Sequence, residues 1–286
     1  MDIPMREDAL LSYRPHARPR TGRPGAHPGA DVGSLGLFRN HAPFSRHPEA
    51  RRIDLRASLR DPFGEIHVRR FEPRSVVNVY ALVDLSASMG FTGRASKIAL
   101  VEDICVAMAR AAHRYGDAFG IIGADAHIRR DFQIRATRRR SLETEIEDLF
   151  RRSAPAGRSA AGLAEAAGLI AGRRKLVFIL SDFRQPATVI DSLLASLVRH
   201  DVVPIVVGDS AEESDLPEWG LIEMQDLETG QSRVVFMRPA LRRKWLDEAA
   251  RRKSELRRLF LRYGRTPVIV ADRLDIENLS RQLLEA

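Results

Sequence analysis

From Ser75 onward the apolar residues switch between two spacings, a continuous or alternating one suited to strands and a 3.6-residue one suited to helices. Val76–Val83 is an apolar, β-branched run of strand length. Over Ser96–Tyr115 the residues Ile98, Val101, Cys105, Met108, Ala112 and Tyr115 recur at helical spacing. Asp117–Gly123 and His127–Arg135 read as strands joined by a tight turn at Ala124-Asp125-Ala126, which makes them antiparallel. Helical patterns over Ser141–Arg152 and Ser159–Ala171 precede a buried strand at Lys175–Leu180. A helix at Val189–Arg199 and a second buried strand at Val202–Val207 follow. Leu221–Leu227 and Arg233–Met237 flank Glu228-Thr229-Gly230-Gln231 as the arms of a hairpin. A charged helix over Pro239–Tyr263, a short strand at Pro267–Val270 and a helix at Ile276–Glu285 complete the pattern. This alternation predicts an α/β fold: a doubly wound, mainly parallel, Rossmann-like sheet covered on both faces. The expected strand order is 3-2-1-4-5-6, with His127–Arg135 as the antiparallel edge.

The first quarter of the chain lacks this rhythm. Tyr13–Val32 is rich in Arg, Pro, Gly and His without a hydrophobic period, so residues 1–33 are expected to form a mobile basic arm. Residues 34–74 read as a short N-terminal extension. Within it Glu65–Phe71 alternates as a half-buried strand does. Residues 75–286 then form the main domain. The 286 residues are 44% hydrophobic and 29% charged, which excludes wholesale disorder and suffices for a substantial core. A formal charge of +8 implies a basic surface. One cysteine excludes an internal disulfide and fits a reducing compartment. With no apolar run long enough to span a bilayer and no secretory pattern after Met1, a cytoplasmic location is expected.

Most enzyme signatures are missing. Phosphate-loop, dinucleotide, zinc-protease, C-x-x-C and nucleophile-elbow motifs do not occur, and Gly93–Lys97 bears only a superficial likeness to a phosphate loop. What stands out is Asp84-Leu85-Ser86-Ala87-Ser88, directly after the first strong strand. A carboxylate and two hydroxyls at i, i+2 and i+4, leaving the carboxyl end of a strand, can face one centre. They are hard oxygen ligands of low total charge, suited to Mg²⁺ or Mn²⁺ with positions left open. Asp182 follows the strand at Lys175–Leu180 in the same context. Between the two, Ser159 either caps a helix or supplies one more hydroxyl.

These residues resemble the metal-ion-dependent adhesion site of von Willebrand factor A domains. The upstream text is similar to the MoxR-associated von Willebrand A-like family, a bacterial family built on a domain of unknown function. The text in question is Arg51-Arg52-Ile53-Asp54-Leu55-Arg56-Ala57-Ser58, then His67-Val68-Arg69-Arg70-Phe71-Glu72. The resemblance covers roughly residues 34–286. Leu55 stands where the family usually has Trp, Ser45-Arg46-His47-Pro48-Glu49 lacks its usual Gly-Asp pair, and Ser159 replaces a Thr. The resemblance implies a divalent cation held by Asp84, Ser86, Ser88, Ser159 and Asp182. It also implies a partnership with a MoxR-type AAA+ ATPase in assembling, activating or metal-loading a client protein. One short, membrane-free branch of the family accompanies methanol dehydrogenase maturation.

Three functions compete at this point. The first is a non-enzymatic, metal-dependent interaction module whose ion accepts a partner carboxylate; charge reversal at Asp182 is then expected to lose the partner without unfolding the chain. The second is a Mg²⁺-dependent phosphoryl-transfer or hydrolytic enzyme, for which Ser86 has no base partner in the motif. The third is nucleic-acid binding through the basic arm and the clusters Arg138–Arg140, Arg242–Lys244 and Arg251–Lys253, which the scarcity of aromatic residues disfavours. Cys105 reads as a buried core thiol, and His113 and His127 as ordinary histidines.

Overall fold

A computed structural model describes residues 10–16, 25–28, 36–213, 216–225 and 232–285. The chain forms two compact units, Pro15–Val77 and a larger one made of Met1–Arg14 with Asn78–Ala286. In the smaller unit β1 (His27–Pro28), β3 (His67–Ser75) and β2 (Gly36–Pro43) form an antiparallel sheet in that order. Asp54 organises the rest of it. Its carboxylate caps α1 (Leu55–Leu59) by accepting from the Arg56 and Ala57 N–H groups. It also meets Arg69 Nε at 2.7 Å and His41 Nε2 at 3.0 Å. Those bonds, led by Arg69, hold its pKa well below the usual carboxylate range. Ser58 Oγ donates to the Asp54 carbonyl and accepts from the His67 N–H. Asp54, Ser58, His67 and Arg69, four members of the upstream text, are thus one local cluster.

The larger unit is the expected doubly wound sheet. Its strand order is β11 (Val268–Ala271), β8 (Asp201–Gly208), β7 (Leu176–Ser181), β4 (Asn78–Asp84), β5 (Ala118–Ala124), β6 (Ile128–Thr137). Numbering only the strands of this sheet and reading from β6, this is the order 3-2-1-4-5-6, and β6 alone runs antiparallel. All residues of β5 and β7 are buried, as central strands covered on both faces require. The helices that cover the sheet are α2 (Lys97–Tyr115), α3 (Leu142–Arg152), α4 (Gly162–Gly168), α5 (Ala187–Ser196), the one-turn α6 (Ser210–Glu213), α7 (Pro239–Arg262) and α8 (Ile276–Glu285). Ser96 caps α2, its hydroxyl accepting from the Ala99 N–H. The buried stripe of α2 includes Val101, Cys105, Met108 and Ala112 as expected, but also Lys97, while Ile98 is only half-buried. Between α6 and α7 lies the hairpin, β9 (Gly220–Gln225) and β10 (Ser232–Met237); its expected tip, Glu228–Gln231, falls outside the described residues.

Two sequence expectations shift. The helix read over Ser159–Ala171 contracts to Gly162–Gly168, because Gly157 is bridged to Ser86 in the loop after β4 and the chain bends before the helix can start. Within the span read as a mobile arm, Tyr13 is buried, as is Leu11, and both belong to the sheet unit. Among the described residues no helix is long and apolar enough to cross a membrane.

Candidate functional site at the strand ends

Because β4, β7 and β8 are parallel, their carboxyl ends share one edge of the sheet. Each ends in an acid: Asp84 closes β4, Asp182 follows β7 and Asp209 follows β8. β4 and β7 are direct neighbours, so Asp84 and Asp182 converge. Asp84 is wholly buried. One of its oxygens accepts from the Ser86 N–H at 2.9 Å and the other from Ser181 Oγ at 2.5 Å. Ser86 Oγ and Ser88 Oγ lie 3.2 Å apart, both buried. Asp84 has no ion-pair partner among the described residues. Burial and the neighbouring Asp182 charge raise its pKa to about 6.

Asp182 is compensated differently. Lys97, at the first position of α2, is fully buried and places Nζ 2.9 Å from Asp182 Oδ2 and 2.7 Å from Glu212 Oε2. The same ammonium donates to the Ser88 carbonyl at 3.3 Å and lies over the Phe91 ring. Arg184 meets Glu212 at 2.9 Å and Asp182 at 3.8 Å, and its backbone N–H donates to Asp182 Oδ1. Asp209 accepts from the N–H groups of Gly93, Ala95 and Ala211, which pins the loop between Ser88 and α2.

A third loop reaches the edge from between α3 and α4. Ala87 N–H donates to the Gly157 carbonyl at 2.7 Å, and Ala156 N–H donates to the Leu85 carbonyl. The approach needs glycine, since a Cβ on Gly157 would stand 2.1 Å from Asp125 Cβ. Ser159 follows two residues later. Its hydroxyl accepts from the Ala161 N–H in a local turn ahead of α4, so it neither caps the helix nor makes a hydrogen bond to Asp84, Ser86, Ser88 or Asp182 among the described residues.

The five residues singled out in the sequence therefore divide. Asp84, Ser86, Ser88 and Asp182 are drawn together, and Ser159 lies on the adjoining loop. Sequence reasoning missed Ser181, Lys97, Asp209 and Glu212. Lys97 carried a legible signal, a lysine in register with Val101, Ile104 and Met108 on the apolar face of its helix. The donor set fits a hard divalent ion: a buried carboxylate without a counter-charge faces two hydroxyls, and such a charge is costly unless paired. Asp84, Ser86 and Ser88 would hold the ion, with Asp182 beside them and already tied to Lys97. Cys105 is buried, and burial pushes its thiol up, out of reach of nucleophile chemistry.

The chain resembles proteins that are themselves uncharacterized. A protein from the region 3′ of moxR in Paracoccus denitrificans is 32% identical over 95 residues, covering 33% of this chain and 90% of that one. A Mycobacterium tuberculosis protein is 28% identical over 235 residues, covering 81% of this chain and 71% of its own length. Among solved structures, BatB from Bacteroides thetaiotaomicron matches with a TM-score of 0.40 at 13% identity, covering 72% of this chain and 97% of that one. The SpRpn10 VWA domain matches with a TM-score of 0.37 at 10% identity, covering 74% and 96%. The family described as "Protein of unknown function DUF58" matches residues 44–255, and with three-quarters of its length inside that match the chain belongs to the DUF58 family.

Proposed function

We propose that this chain is a protein-interaction module whose contact with its partner depends on a divalent cation, Mg²⁺ or Mn²⁺, held at Asp84, Ser86 and Ser88. The observation that carries the reading is the fully buried Asp84 carboxylate, without a cation of its own and facing two hydroxyls. The charge balance supports it further. Asp84, Asp182 and Glu212 set three negative charges against Lys97 and Arg184. One negative charge is left over, Asp209 at the neighbouring strand end adds a second, and a divalent ion would match the two. The chain's own residues then do three things: Asp84 and the serines bind, Lys97 and Arg184 hold Asp182 and Glu212 in place, and the Gly157 loop walls one side. The relative from beside moxR supports a MoxR-type AAA+ ATPase as the partner, with a client protein that the pair assembles, activates or loads with metal.

Calorimetric titration with Mg²⁺ and Mn²⁺ is expected to show one site in the native chain and none in Asp84→Ala, with both proteins folded. Binding to the MoxR-type ATPase of the same cell is expected to need the ion and to vanish with chelator. Undiminished ion binding in Asp84→Ala, or partner binding indifferent to chelation, overturns the reading. A phosphatase and nuclease screen runs alongside, and metal-dependent turnover lost in Asp84→Ala would establish the enzyme instead.

A further inference from the structure

The hairpin after α6 has two unlike faces. Strand pairing sets Leu221 opposite Phe236 and Glu223 opposite Val234, so these four share one face. Leu221 is 73% exposed, Val234 65% and Phe236 56%, and Trp219, whose ring meets Phe236 at 6.2 Å, is exposed as well. On the opposite face Met237 is buried and Ile222 and Val235 are half-buried. The hairpin therefore rests on the unit through one face and offers an apolar patch on the other. Scattered exposed apolar residues need no explanation, but a contiguous group with two aromatic rings marks an interaction surface.

Charge says what fits it. One residue, Arg238, separates β10 from α7, and the Arg242 side chain donates to the Leu216 carbonyl, joining α7 to the segment that enters the hairpin. Helix α7 holds nine basic and three acidic residues. Arg251 is paired to Glu248 and Glu255, and Arg262 to Asp191. Arg243, Lys244, Arg252, Arg257 and Arg258 are exposed and make no ion pair among the described residues. Because α7 returns the chain to the start of β11, which runs parallel to β8, its first turns lie at the edge that bears Asp84 and Asp182. The segment 209–213, which contacts Lys97 and the Gly93 loop, leads directly into the hairpin.

We infer that the hairpin face and the start of α7 form a second binding surface, for a partner segment that carries apolar side chains among carboxylates. The inference deepens the interaction-module reading and rests on it only in that the chain binds a protein. Exposed Leu221, Val234 and Phe236 are covered by apolar side chains of a peptide and not by a phosphate backbone, so an acidic protein segment with apolar residues fits better than nucleic acid.

The probe is a fluorescein-labelled peptide of alternating Glu with Leu and Phe, read by anisotropy on the full chain. The controls are a peptide with Ser for Leu and Phe, one with Lys for Glu, and a single-stranded oligonucleotide of equal charge. The Glu-Leu-Phe peptide is expected to bind, and to bind less as salt rises. Leu221→Asp with Phe236→Asp, and separately Arg243→Glu with Lys244→Glu, are each expected to weaken it about tenfold or more. All four positions are exposed, so the variants fold. Asp84→Ala is expected to leave peptide binding unchanged, which separates this surface from the ion site. Absence of peptide binding, equal binding of the Ser peptide, or oligonucleotide binding that is tighter and survives the hairpin variant would each overturn the inference.

Discussion

At the first position of α2 a lysine side chain turns inward and ends between Asp182 and Glu212. A buried ammonium is tolerated only with such partners, and removing it leaves two carboxylates short of their counter-charge. Lys97→Met is therefore expected to destabilise the chain by about 3–5 kcal/mol, the range for breaking a buried ion pair. Urea unfolding measures it, and the double variant Lys97→Met with Asp182→Asn is expected to recover part of the loss. A loss under about 1 kcal/mol, the level of a surface pair, would mean that Lys97 is not enclosed as described. The same geometry corrects the expectation for Asp182→Lys, which places a second ammonium against Lys97 and costs stability as well as binding. Asp84, Ser86 and Ser88 were legible because one short motif bears them all. Glu212 was not, nor were the partners of Lys97, because Lys97 meets Asp182 and Glu212 only through the packing of α2 against the strand ends and the loop after β8.

Among the elements, strand identities were easier to read than helix limits. Continuous apolar runs such as Leu176–Leu180 have no other stable place than a sheet covered on both faces. The start of α4 was misjudged because Ser159-Ala160-Ala161 favours a helix locally, whereas the bridge between Ser86 and Gly157 holds the preceding segment against the loop after β4. Gly157 is what allows that bridge. Gly157→Ala sets a methyl group 2.1 Å from Asp125 Cβ and is expected to cost about 1–3 kcal/mol and to weaken ion binding, since the loop must move off Ser86. Gly168 is the opposite case: it ends α4, is exposed, and has no atom within 4 Å of an added Cβ. Gly168→Ala is expected to leave ion binding untouched and to be neutral or stabilising by up to about 1 kcal/mol. Thermal unfolding and ion titration of the two variants check the contrast; equal effects would show that the Gly157 loop does not shape the site.

For the molecule as a whole, the strand order was read from the alternation after Ser75 together with the short turn at Asp125, because right-handed crossovers leave few ways to wind a parallel sheet. What alternation does not encode is a contact between residues about a hundred positions apart. Leu11 and Tyr13 are such a case, lying in a stretch whose Arg, Pro and Gly content reads as loose chain. Tyr13 is 3% exposed and donates its hydroxyl to Asp117 Oδ2 at 2.7 Å, at the start of β5. Its ring meets Tyr115 edge-on at 5.2 Å and Phe178 of β7 at 6.0 Å. Ser12 adds a backbone donor to Ser280 Oγ on α8. Burial, and then the Asp117 charge, raise the Tyr13 pKa, so the hydroxyl stays a neutral donor. Residues 10–14 thus join α2, β5, β7 and α8 across the amino end of the sheet, opposite the ion site. Tyr13→Ala removes a buried ring and is expected to cost about 3–5 kcal/mol, while Tyr13→Phe keeps the ring, loses one bond to a carboxylate and costs about 1–3 kcal/mol. Urea unfolding followed by circular dichroism measures both. Ion binding is expected to be unchanged in either variant at 25 °C, because the strand ends that hold Asp84 and Asp182 lie a full strand length away. A Tyr13→Ala protein as stable as the native chain would show that the segment is not part of the core, and a Tyr13→Phe loss equal to that of Tyr13→Ala would place the whole effect in the hydroxyl rather than in packing.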